Sequence, residues 1–73
     1  MEISNISGKP YRLSDVVKIV DPKQQKLYVK HEVYPVDMFT MKDYYSDNQI
    51  LVMLFNKEET RDLYLKWQNH ELR

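Results

Sequence analysis

Six apolar residues in a row, Ile50-Leu51-Val52-Met53-Leu54-Phe55, run through Asn56 straight into Lys57-Glu58-Glu59-Thr60-Arg61-Asp62-Leu63-Tyr64-Leu65-Lys66-Trp67. A strand that is apolar at odd and even positions alike has no side suited to water, so it belongs in the middle of a sheet with cover on both faces. Past Asn56 the period changes. Thr60, Leu63, Tyr64 and Trp67 recur at helical spacing and form one stripe for burial. Asn56 with Glu59 three residues on has the form of a capping box, and Glu58 and Glu59 fall in the first turn, where the helix dipole favours acids. Whatever this chain becomes, it contains a central strand that feeds directly into an amphipathic helix.

The other segments are read against that unit. Asp15-Val16-Val17-Lys18-Ile19-Val20 is rich in β-branched residues and predicts a first strand, with Val17 and Ile19 on one face and Val16, Lys18 and Val20 on the other. Asp21-Pro22-Lys23-Gln24 is a helix start: an N-cap acid, Pro at the first helical position, and Gln where it can reach back. That helix should run to about His31, burying Gln24, Leu27, Tyr28 and His31 and leaving Lys23, Lys26 and Lys30 as a basic stripe. Pro35 keeps Tyr34 out of helical geometry, and residues 36–41 predict a second strand. Lys42 to Asn48 is a polar turn holding Tyr44 and Tyr45, at least one of which faces solvent. Residues 1–14, with the turn signal Ser7-Gly8-Lys9-Pro10, are expected to be a loosely ordered arm ahead of a single domain, 15–73.

These elements predict an α+β fold. Its core is a small three-stranded mixed sheet in strand-helix-strand-strand-helix order, with the third strand central, antiparallel to both neighbours, and both helices on one face. Such a sheet leaves its second face open, extended by Phe39 and Met41 or by Val36 and Met38. A two-fold homodimer is the expected cover, and the N-terminal arm, through Ile3, Ile6 and Leu13, is the competing lid.

A second pattern covers most of the chain from about Val16. Val-Lys-Ile-Val-Asp-Pro-Lys-Gln-Gln-Lys-Leu-Tyr (17–28), the Leu-Val-Met-Leu-Phe strand, the Thr60-x-x-Leu63-Tyr64 spacing and Trp67-Gln-Asn-His-Glu-Leu72 resemble a family of small uncharacterised proteins of Firmicutes bacteria, their phages and mobile elements. The chain departs from that pattern at Glu32, where a Gly often follows the first helix, and at Gln68, where a Cys often follows the Trp. The resemblance implies a genomic setting, an accessory protein acting on a host or defence protein, and no activity.

Chemistry is sparse. With no Cys among 73 residues there is no disulfide, no thiolate metal site and no thiol nucleophile, which suits a reducing cytoplasm. No apolar run approaches the roughly 20 residues of a membrane helix, so no membrane partner is expected. One Gly excludes a glycine-rich phosphate loop, and no Ser-centred motif is present. His31-Glu32 and His70-Glu71 are adjacent pairs whose members point about 100° apart on a helix, and the one conceivable trio is His31, Asp37 and His70. The reading is therefore no catalytic residue, no metal and no cofactor.

Binding remains. Six Tyr, one Trp, two Phe and four Met are types enriched at protein interfaces, and a small core does not absorb them all. Tyr44, Tyr45, Phe39, Met41, Met53 and Phe55 are the candidate protein-contact residues of a non-enzymatic regulatory module. The alternative is a nucleic-acid-binding accessory protein using Lys23, Lys26 and Lys30. Net charge is zero, but residues 1–31 carry six basic and three acidic residues and residues 32–73 five and eight, a dipole able to orient a charged partner.

Overall fold

The apolar run becomes β5 (Gln49–Asn56), the strand with two neighbours, in a computed structural model that describes every residue from Met1 to Arg73. In chain order come β1 (Glu2–Ile3), β2 (Pro10–Tyr11), a 3₁₀ turn at Leu13–Asp15, β3 (Val16–Ile19), α1 (Pro22–Lys30), β4 (Asp37–Lys42), β5 and α2 (Lys57–Gln68). The main sheet has the order β3-β5-β4, and β1 and β2 form a separate hairpin. Both neighbours run antiparallel to β5, so every pairing in the sheet is antiparallel; the description as mixed is corrected.

Alternation along β5 sends its residues to two cores. Phe55, wholly buried, joins Ile19, Leu27, Tyr28 and Leu72 on the helical side, with Val17, Met53, Leu63 and Trp67 packed around them. Tyr28 meets Phe55 edge to face at 5.1 Å between ring centres, a geometry favoured by the ring quadrupoles. Val52, Leu54 and Val16 form the second core on the opposite face, flanked by Tyr11 and Val36.

Both helix starts are capped as the sequence directs. Asp21 accepts from the amides of Lys23 and Gln24, and Asn56 from those of Glu58 and Glu59. The reach-back interactions do not form: Gln24 donates to the Tyr28 hydroxyl, and the Glu59 carboxylate accepts no hydrogen bond from the Asn56 amide. Both helices end alike. The Glu32 and Val33 amides return to the Val29 and Tyr28 carbonyls, and the His70 and Glu71 amides to those of Trp67 and Lys66. Each is a Schellman motif, and each holds a non-glycine residue in the left-handed region, Glu32 at φ 65° and His70 at φ 59°. The second turn sends Leu72 back into the core.

Three assignments change. Tyr64, expected in the buried stripe of α2, is 41% exposed, because Thr60, Leu63 and Trp67 already fill the space over β5. His31, expected on the buried face of α1, is the exposed C-cap residue, its Nε2 2.8 Å from the Arg73 carbonyl oxygen. Gln25, not expected inside, is buried. β3 ends at Ile19, opposite Met53, so β5 loses that neighbour for its first half, and the Gln25 amide donates to the Ile19 and Leu51 carbonyls at the gap.

The stretch read as a loose arm is the β1–β2 hairpin with the 3₁₀ turn, laid on the face away from the helices. The Ser4 hydroxyl donates to the Val36 carbonyl, while the carboxylate of buried Asp37 accepts from the Asn5 amide and, at 2.5 Å, from the Tyr11 hydroxyl. Burial pushes the Asp37 carboxyl up, but these bonds and one from the Met38 amide outweigh it and hold it below the ordinary carboxylate value. The same bond, then desolvation and the nearby negative charge, pushes the Tyr11 hydroxyl up to about 12. The lid therefore forms within one chain, over Val16, Val52 and Leu54. It stops short of Phe39 and Met41, which stay 38% and 40% exposed.

Candidate protein-interaction surface

Because β3 pairs only with Met53 to Asn56 of β5, the remaining half of β5 has β4 as its sole strand neighbour. Residues 39–52 thus form a two-stranded finger projecting past the third strand. Pairs Phe39–Val52, Met41–Ile50 and Lys42–Gln49 build it. Phe39, Met41 and Ile50 lie on the lid side, and Thr40 and Leu51 on the other. A bare two-stranded ribbon is marginal in water, so its base matters. Here Val52 is fully buried and Gln25 ties the Leu51 carbonyl to α1.

The tip has a defined conformation. The Asp43 amide donates to the Asn48 carbonyl at 2.7 Å, closing a loop of Tyr44, Tyr45, Ser46 and Asp47. Asp43 accepts from the Tyr45 amide and the Ser46 hydroxyl, and those two bonds, the Ser46 bond first, lower its carboxyl below the ordinary value. Asp47 takes the left-handed conformation at φ 58° and pairs with Lys42. The β1–β2 loop repeats this plan: the Ser4 amide donates to the Lys9 carbonyl, the Ser4 hydroxyl oxygen accepts from the Ile6 and Ser7 amides, and Gly8 holds the left-handed position at φ 71°. One loop carries Asn5 and a half-exposed Ile6 at the matching positions. The other carries two tyrosines.

Tyr44 and Tyr45 are 95% and 96% exposed, their rings 6.0 Å apart and nearly edge to face. A backbone held by the Asp43 hydrogen bonds presents them at the end of the ribbon. Of the six residues selected from sequence, the structure groups Tyr44, Tyr45, Phe39 and Met41 on this finger. Met53 and Phe55 do not belong with them: β5 turns both toward the helices, where Phe55 has no exposed surface. Ile50 and Leu51 complete the finger's apolar surface; the sequence reading placed them on opposite faces of a central strand and did not single them out, because nothing local shows that β3 pairs only with the far half of β5.

The basic stripe is also present. Lys23, Lys26 and Lys30 are exposed on α1, and none of them is in an ion pair. No three His, Asp or Glu side chains gather closely enough to hold a metal ion; Asp37, one of the trio considered, serves the lid instead. No helix is long and apolar enough to cross a membrane. No family model, curated protein or solved structure matches the chain.

Proposed function

We propose that the chain is a small non-enzymatic protein-binding module that engages its partner through the β4–β5 finger. The observation that carries this reading is the tyrosine pair: two large side chains held almost wholly in water by a loop whose backbone is fixed. Tyrosine supplies contact area at low entropic cost, having few rotatable bonds, and its hydroxyl finds partners in a wet interface. A standard interface removes about 800 Å² from each side, and a fully buried aromatic contributes about 150–250 Å². Two tyrosines fall short of that. Phe39, Met41, Ile50 and Leu51 are the adjoining apolar area that makes up the difference, and they are contiguous with the tip along the ribbon. The setting, an accessory protein of a phage or mobile element acting on a host or defence protein, is supported by the sequence resemblance alone, and a cytoplasmic location by the lack of Cys.

Affinity purification from the native cell, with the wild-type chain and a Tyr44→Ser, Tyr45→Ser double variant as baits, tests the reading. A protein recovered with the first and lost with the second supports it. The alternative is a nucleic-acid-binding role for Lys23, Lys26 and Lys30, favoured by the lack of any anion paired with them. Its signature is DNA or RNA binding that weakens steeply with salt and is abolished by Lys→Glu changes at those positions.

A further inference from the structure

The opposite edge of the sheet offers a second surface with different chemistry. β3 is an edge strand. Its register, Val17 with Phe55 and Ile19 with Met53, places Val17 and Ile19 opposite odd-numbered residues of β5. Those residues turn their carbonyls toward β3, as Leu51 shows by accepting from Gln25 just past the strand's end. In an antiparallel pair the intervening residue directs its backbone the other way, so Lys18 presents its N–H and C=O outward. Beside this edge runs an open groove between β3 and α2. One section, of about 550 Å³, is lined by Val17, Ile19, Tyr64 and Trp67, and a second, of about 360 Å³, continues it past Val17 and Tyr64 toward the start of α2.

An unpaired strand edge with an aromatic wall alongside is the arrangement that accepts an added strand: the backbone ladder gives affinity, and alternate side chains fall into the groove. Charge selects the occupant. Lys18, Lys23 and Lys57 border the two sections without an anionic partner, whereas Asp21 is engaged in capping α1 and Glu58 in its pair with Arg61. We propose that the β3–α2 groove binds an extended segment of a partner protein with alternating apolar and acidic residues, added as a strand to β3. The apolar side chains pack on Tyr64 and Trp67 beside Lys23 and Lys57, and the acidic ones fall on the opposite face, next to Lys18. This site is separate from the finger and stands or falls independently of it.

Trp67 is the only tryptophan and lies in the groove, so its emission reports occupancy. The full chain is titrated with an end-blocked heptapeptide alternating Val and Glu. Two controls are the same peptide N-methylated at alternate residues, in both phases, and a Val–Lys counterpart. The proposal expects a saturable change in Trp67 emission with the Val–Glu peptide, binding at least tenfold weaker for the Val–Lys peptide and for one N-methylated phase, and a shift of the Lys18 amide signal in NMR spectra. A Lys18→Glu, Lys23→Glu variant, altered only at exposed positions, should reverse the preference between Glu and Lys peptides. Absence of saturation at millimolar peptide overturns the proposal, as does equal binding of both N-methylated forms or signal changes confined to the Tyr44–Tyr45 tip. Tighter, competing binding of an oligothymidylate of about twelve nucleotides overturns it in favour of a nucleic-acid site.

Discussion

Replacing Glu32 by Gly should stabilise the protein. Glu32 closes the Schellman motif of α1 at φ 65°, where a Cβ crowds the backbone at a cost of about 1–2 kcal/mol. Its side chain makes no hydrogen bond or ion pair that substitution would forfeit. Glycine removes the crowding but enters the unfolded state with more freedom, which offsets about 0.4–1 kcal/mol. The net gain is about 0.5–1 kcal/mol. With a urea slope of about 1 kcal/mol per molar for a chain this small, the midpoint should rise by about 0.5–1 M, and Tm by a few degrees. Glu32→Ala is the control: it retains the Cβ and should change the midpoint little. A glycine variant no more stable than the alanine variant would refute the reasoning. His70→Gly should behave in the same way at the end of α2, although the contact between His31 and the Arg73 carbonyl joins the two helix ends, so the gains need not add.

Asp37→Ala strands the Tyr11 hydroxyl and the Asn5 amide; it should cost about 3 kcal/mol and bring the Asn5 amide to open-chain hydrogen-exchange rates. The Asp37 carboxyl is lowered on folding, so its contribution is present above about pH 4 and lost as pH falls through the lowered value. The Tyr11 hydroxyl is raised to about 12, so its contribution is whole below about pH 10 and fades as pH rises through the folded value. Exchange at Asn5 across pH checks both signs. Phe55→Ala should cost about 3–5 kcal/mol, half-buried Trp67→Ala about 2, and exposed Leu65→Ala under about 1, by urea unfolding. Light scattering at micromolar concentration should find the full chain monomeric and a form lacking residues 1–12 associated, because the lid would no longer cover Val16 and Leu54; a dimer of the full chain would restore two-fold pairing as the main cover.

The parts of the fold legible in sequence are those set by local rules. The apolar run on both faces marked β5, Asp21-Pro22 and Asn56 marked both helix starts, and Tyr34-Pro35 marked the break before β4. The strand β3 falls within a residue of its expected bounds, but its register was not legible: nothing local shows that it pairs only with Met53 to Asn56 and leaves the first half of β5 with one neighbour. The lid was hidden because its anchor, Asp37, is an acid in an alternating strand, and nothing local distinguishes a buried acid with three donors from a solvated one. For the candidate surface, the Tyr44-Tyr45 pair stood out through composition. Met53 and Phe55 were misgrouped because a strand apolar on both faces does not reveal which set of residues the helices cover, and one step of register exchanges the two sets.

The finger is the central claim, and proximity in the cell tests it most directly. A photoreactive p-azidophenylalanine in place of Tyr45, and separately in place of Lys26, is irradiated in the native cell and the adducts are resolved by mass. The account predicts a discrete protein adduct from position 45 that disappears on adding Tyr44→Ser, and none of comparable yield from position 26. Nucleic-acid adducts from position 26 with no protein adduct from position 45 would contradict it.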